Sequence, residues 1–240
     1  MTTPFGSGRP IDFSQRDHRR LIGVLGLLLP LLLYVMAGIR PMGLQDIPRW
    51  GLLSSVSDYY YTGAVAVFVG ILFALSLFLF TYQGYEGVSA DRWLGRIAGA
   101  AALGVALFPC EPLADSFRPL WWKEPFAFVH YGSAVILFIS FILFAIWLFR
   151  KTSGSRDADK RMRDHLCLIC GIAMIIAVLW AGSSMFTRAP IFLPESIAIV
   201  GFAFSWLVKG EAPVVADGVR FLSRRMIRVG AGPAPARKAS

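Results

Sequence analysis

Six stretches of this chain are apolar over close to the length a helix needs to cross a bilayer, and the charged residues fall mostly in the gaps between them. A spanning helix takes about 20 predominantly apolar residues. It also satisfies its own backbone hydrogen bonds, which an irregular segment in lipid cannot do. The stretches are residues 21–39 (with Pro30 inside), 61–82, 93–108 (ended by Pro109), 127–149, 166–186 and 194–208. They are continuously apolar rather than alternating every second residue, which argues against a β-barrel. Composition agrees: 56% of the 240 residues are hydrophobic and 16% charged, against roughly 45–50% and about 25% in soluble domains. An ordinary soluble enzyme, a disordered chain and a nucleic-acid-binding domain are thereby excluded. The net charge of +9 does not reverse this, because it sits between the apolar blocks.

The expected fold is all-α, a polytopic membrane protein built as a bundle of six transmembrane helices. Residues 21–209 form the membrane domain, 1–20 an amino-terminal tail and 210–240 a basic carboxyl tail. The first stretch has the basic flank of a secretory signal (Arg16, Arg19, Arg20) and a Val35-Met36-Ala37 cleavage pattern. Its apolar core nevertheless exceeds the 7–15 residues of a signal, so it is expected to be a true span.

Orientation follows from Lys and Arg in alternate gaps. Nineteen fall in the amino tail (Arg9, Arg16, Arg19, Arg20), the second gap (Arg92, Arg96), the fourth (residues 150–163) and the carboxyl tail (residues 209–238). The opposite side holds five: Arg40, Arg49, Arg118, Lys123 and Arg188. Both termini are therefore expected in the cytoplasm. Tryptophan fits interfacial belts, with Trp50, Trp121 and Trp122 outside, Trp93, Trp147 and Trp206 inside, and Trp180 about two turns below the outer end.

Small residues at four-residue spacing suit close helix packing: Ala66, Gly70 and Ala74; Gly95 and Gly99, then Ala100 and Gly104; Ala173, Ala177 and Ala181. Packing within one subunit is the plainer reading, and an oligomer face the other. In the carboxyl tail, Val215, Val219, Leu222, Met226 and Val229 recur at helical spacing among arginines. The pattern suits an amphipathic helix on an anionic leaflet or a merely solubilising tail, and the final ten residues read as disordered.

Ionisable residues at span mouths are costly and therefore candidates for function. Asp58, Glu111, His130, Arg188 and Glu195 all lie at predicted outer ends. The last stretch, 194–208, reaches only about 22 Å against about 30 Å of hydrocarbon. Glu195 and Glu111 are thus expected to lie recessed, beside Pro194 and Pro109. Asp58, Tyr61, Glu111, His130, Ser133, Arg188 and Glu195 are the candidate lining of an outward polar cleft. Plainer roles exist for each: Glu195 complements a helix dipole, Asp58 caps the second span, and His130 bonds a backbone carbonyl.

No cofactor and no metal site is expected. His18 and His165 lie at the opposite membrane face from His130, so a three-histidine zinc site is excluded. A serine hydrolase drawn from Ser183 or Ser184 with His130 and Asp58 lacks an elbow motif. Cys167-x-x-Cys170 has no βαβ context for redox work.

Ser57-Asp58-Tyr59-Tyr60-Tyr61-Thr62, residues 67–86 ending Phe80-Thr81-Tyr82-Gln83-Gly84-Tyr85-Glu86, and Ala106-Leu107-Phe108-Pro109 resemble a widespread family of bacterial six-span membrane proteins of unknown function. His130, Glu195-Ser196-Ile197-Ala198 and Ser205-Trp206-Leu207-Val208-Lys209-Gly210 are similar too. The likeness covers about residues 20–210. The family is loosely grouped with DRAM and Frag-type membrane proteins, which implies architecture and carries over no catalytic residue. It implies a place in the bacterial inner membrane. The expected function is binding of a lipid headgroup or small polar ligand in the outer cleft, without catalysis. Membrane lipids are the expected partners, an oligomer is allowed, and nucleic acid is not expected. A lipid hydrolase using His130, as general base or as the sole nitrogen ligand of a metal, with carboxylates is the alternative, and an assembly protein the second.

Overall fold

The computed structural model describes residues 14–39, 50–84, 89–113, 118–151, 158–187 and 189–230. Within them the chain is all-α: α1 (Gln15–Ile39), α2 (Val65–Phe80), α3 (Ser89–Leu107), α4 (Glu124–Ile146), α5 (Ala158–Thr187), α6 (Phe192–Lys209) and α7 (Pro213–Gly230). A 3-10 turn, Ser57–Tyr61, precedes α2, and another, Leu148–Arg150, follows α4.

Local chemistry sets several boundaries. Proline stands in the first turn of α4, α6 and α7, where its missing N–H costs nothing. α3 stops two residues before Pro109, which cannot continue a helix. The second span was expected to begin at Tyr61, but α2 begins at Val65. Thr62 intervenes in extended conformation. Its hydroxyl donates to the Tyr59 carbonyl at 2.8 Å and accepts the Ala64 N–H at 3.1 Å. That exchange closes the 3-10 turn and opens the helix.

Four helical stretches are long and apolar enough to cross a membrane: Gln15–Ile39, Glu124–Arg150, Ala158–Ser184 and Phe192–Lys209. α2 is a shorter apolar helix of 16 residues. α3 carries Asp91, Arg92 and Arg96 in its first half, which lowers its apolar character. Large apolar side chains such as Leu27, Leu31, Phe73, Leu77, Ile136, Ile139, Ile172, Ile176 and Leu179 face outward. So much exposed apolar surface suits lipid rather than water.

The first six helices alternate in direction. At one end, His18 of α1 bonds the Phe78 carbonyl of α2 at 2.6 Å. Lys209 of α6 donates to the Phe149 carbonyl at 2.6 Å. Arg20 donates to the carbonyls of Gly210 and Glu211, both at 2.9 Å. The other end gathers the loops around residues 50–62, 108–113 and 189–195. Between the ends runs an apolar core in which Phe141 and Phe202 stack at 3.5 Å between ring centroids. Trp206, placed from sequence in an interfacial belt, is fully buried among Tyr82, Phe144, Phe149 and Phe202. Trp122 is buried as well. Trp50, Trp93, Trp121, Trp147 and Trp180 are exposed.

Of the small-residue ridges, the one on α3 packs within the subunit. A Cβ on Gly95 would lie 2.8 Å from the Leu79 carbonyl oxygen, and one on Gly99 3.0 Å from that of Ser76. Such close approach lets Ser76 donate to the Gly99 carbonyl at 2.8 Å. The α2 ridge turns away: Ala66 and Gly70 are exposed, and nothing stands within 4 Å of a Cβ built on Gly70. α7 is not a free tail. Val219 and Ser223 are buried, Val215 packs on the core, and the Ser223 hydroxyl donates to Asp159 of α5. The side chains of Met226 and Val229, and residues 231–240, lie outside the described residues.

Candidate functional site

Three backbone segments meet at the end of the bundle away from α7, and hydrogen bonds tie the first of them to each of the other two. The first is residues 54–58. Ser55 and Asp58 form a reciprocal box: the Ser55 N–H donates to the Asp58 carboxylate at 2.8 Å, and the Asp58 N–H donates to the Ser55 hydroxyl at 3.1 Å. A box of this kind satisfies two donors that a helix start otherwise leaves unpaired. Asp58 therefore caps its own 3-10 turn, not α2. Burial, outweighing the bonds from Ser55, pushes its carboxyl above the ordinary aspartate value.

The second segment is the start of α6. Ile191 and Phe192 donate their N–H groups to the Ser54 carbonyl at 2.6 and 2.8 Å. Glu195, one turn into the helix, accepts the Val56 N–H at 2.7 Å. The carboxylate thus stitches the 54–58 segment to α6, beyond any service to the helix dipole.

The third is the exit of α3. Pro109 ends the helix and leaves carbonyls without intrahelical partners. The Cys110 carbonyl accepts the Tyr61 hydroxyl at 2.5 Å and the Trp122 indole N–H at 3.1 Å. The Cys110 thiol donates to the Ser57 carbonyl at 3.3 Å. Burial pushes both the Cys110 thiol and the Tyr61 phenol up, which keeps both protonated as donors.

His130, on the second turn of α4 and 1% exposed, sits where the segments join. Its Nδ1 is 2.7 Å from the Phe108 carbonyl oxygen and its Nε2 2.9 Å from the Ser57 hydroxyl. A carbonyl only accepts, so Nδ1 carries the proton. In the neutral ring Nε2 is then the acceptor, and Ser57 donates to it. The Tyr131 ring packs edge-on against the imidazole at 5.6 Å.

Beneath Ser57 and Glu195 lies a narrow cavity of about 50 Å³. Apart from those two residues and Gly26 its walls are apolar, with Val56, Phe68, Leu72, Leu137, Phe141 and Phe202 prominent. Its polar groups stand at one end and its hydrocarbon walls fill the rest.

Of the residues chosen from sequence, Asp58, Tyr61, His130 and Glu195 come together around this junction. Glu111 does not: its side chain is exposed and only its N–H is engaged, donating to the Tyr131 hydroxyl at 3.3 Å. The chain beyond Pro109 runs outward and carries Glu111 with it, so that carboxylate is not recessed. Ser133 faces α3, where its hydroxyl fills the space over Gly104. Arg188 lies outside the described residues. Sequence reasoning missed Ser57 as the partner of His130, as well as Ser55 and Cys110. Ser183 and Ser184, drawn earlier as nucleophiles, both donate to the Trp180 carbonyl of their own helix. Among the described residues, no three His, Cys, Asp or Glu side chains cluster to hold a metal.

The profile of a family of unknown function (DUF7103) matches residues 28–210. No curated protein and no solved structure matches the chain.

Proposed function

The chain belongs to the DUF7103 family, and we propose that it is an integral inner-membrane protein that holds a lipid or another small amphipathic ligand at its outward end. The observation that carries this is the cavity with Ser57 and Glu195 at one end and hydrocarbon walls elsewhere. Its apolar walls suit hydrocarbon, and its polar end suits the headgroup or linkage that an alkyl chain carries. Asp58, His130 and Glu195 shape that end, and Arg188, by its place in the sequence, is available to an anionic group.

Six crossings are part of the reading. α2 and α3 supply two beyond the four long apolar stretches, since α2 packs between α1 and α3, and α3 between α2 and α4. Lys and Arg concentrate at the end that carries Arg16, Arg20, Arg163 and Lys209, which favours a cytoplasmic position for that end and for both termini. A grouping with DRAM and Frag-type proteins belongs to the same reading and would imply architecture and no activity.

Native mass spectrometry of the protein released from its own membrane tests the reading. A bound amphiphile is expected in the parent protein, and less of it in Glu195→Ala, whose Val56 N–H loses its acceptor. Glu195→Gln, which keeps an acceptor oxygen, is expected to retain more. A parent protein free of any bound species favours a packing or assembly role instead.

A further inference from the structure

The Ser57–His130 contact has the geometry of an activated nucleophile. A hydroxyl stands 2.9 Å from an imidazole nitrogen, and a third group, the Phe108 carbonyl, holds the opposite ring nitrogen at 2.7 Å. That third group fixes both the tautomer and the ring plane, leaving Nε2 as the base that faces the serine. Ser57 also lines the apolar cavity, so its hydroxyl can meet a molecule lying there.

Capping of its own 3-10 turn does not call for this hydroxyl. The 3-10 turn is already capped by Ser55 and Asp58, and the Ser57 carbonyl already accepts the Cys110 thiol. The hydroxyl goes instead to His130 Nε2, the ring nitrogen left without a proton by the bond to the Phe108 carbonyl. The Ser57 side chain therefore takes no part in capping its turn, and it is aimed at a base.

We propose that Ser57 is the nucleophile, and His130 the general base, of an esterase acting on long-chain acyl esters. The proposal rests on the ligand reading above and names its substrate class. With an acyl chain among Phe68, Leu72, Leu137 and Phe141, the ester carbonyl comes to the polar end of the cavity. Ser57 Oγ bonds to the carbonyl carbon as its proton passes to His130 Nε2. The tetrahedral adduct collapses, the ester C–O bond breaks, and the departing alcohol oxygen takes that proton. Water then attacks the acyl-serine, giving a proton to Nε2. As the bond to Ser57 breaks, Oγ regains a proton and the carboxylic acid leaves. The balance is one ester and one water to one acid and one alcohol, with no redox step.

The test uses the full chain in lipid nanodiscs with a long-chain alkyl fluorophosphonate, followed by peptide mapping. The expected result is an adduct on Ser57, absent from Ser57→Ala and reduced at least about tenfold in His130→Gln, whose side chain is a poor base. Hydrolysis of a long-chain acyl ester is expected to fall at least about 100-fold in Ser57→Ala. Absence of the Ser57 adduct in the folded parent protein overturns the proposal, and so does unchanged hydrolysis in Ser57→Ala. If native mass spectrometry shows a bound amphiphile while Ser57 stays unlabelled, only the nucleophile is lost. If neither signal is present, the ligand reading falls with it.

Discussion

His130 and Ser57 stand 73 positions apart in the chain and 2.9 Å apart in space, and their contact locks α4 to the segment that leads into α2. The same imidazole reaches the Phe108 carbonyl at 2.7 Å, so one side chain joins three stretches of backbone at the mouth of an apolar cavity.

Removing that side chain leaves the Phe108 carbonyl without a donor and opens a void against Tyr131. His130→Ala is expected to lower stability in detergent by about 2–4 kcal/mol. Denaturant unfolding followed by tryptophan fluorescence measures this. A loss below about 0.5 kcal/mol would mean that the imidazole is not the tie described.

Asp58 gives the site a pH dependence of definite sign. Burial holds its folded-state carboxyl above the ordinary value of 3.8. Between that value and the raised one, the folded protein keeps a proton that the unfolded chain releases. The contribution is therefore present at low pH and lost as pH rises through the folded value. Stability of the parent protein relative to Asp58→Asn should fall with rising pH over that window. A flat or rising difference contradicts the burial described.

Two glycines separate inward from outward helix faces. Gly95→Ala puts a methyl 2.8 Å from the Leu79 carbonyl oxygen and should cost about 1–3 kcal/mol, because backbone has to move. Gly70→Ala meets nothing within 4 Å and should be neutral or gain up to about 1 kcal/mol of helix propensity. Equal effects on melting temperature would mean that α2 and α3 do not meet along the Gly95–Gly99 face.

Orientation is open to labelling. In a version with Cys110, Cys167 and Cys170 replaced, Leu120→Cys should react with a membrane-impermeant maleimide on intact cells. Lys151→Cys should react only after permeabilisation. The reverse pattern would turn the bundle over and place the cavity mouth in the cytoplasm.

Much of the bundle is legible in the sequence because hydropathy is a property of contiguous residues. The stretch 194–208 lies within α6, and 166–186 lies within α5. What local pattern misses is the polar interruption at Thr62, where one side chain bonds backbone on both sides and moves the start of α2 to Val65. Trp206 shows the same limit: its position suits an interfacial belt, yet four aromatic rings enclose it, three of them from outside its own helix. At the site, His130 and Glu195 stand out as ionisable groups at helix mouths. Ser57 does not, since a hydroxyl beside an aspartate reads as a cap. Only the long-range approach of α4 gives it a base. Glu111 shows the converse, a carboxylate whose place in the sequence suggests recess while the chain beyond Pro109 carries it outward.

Photocrosslinking tests the central claim most directly. The protein, incubated with a lipid bearing a diazirine on its acyl chain, is irradiated and its adducts are mapped by mass spectrometry. Adducts on the cavity residues Phe68, Leu72, Leu137 and Phe141 are expected, and an excess of unlabelled lipid should compete them away. Adducts confined to the lipid-facing Phe73, Leu77, Ile136 and Ile139 would contradict the account, because they would show the chain meeting only the outside of the bundle.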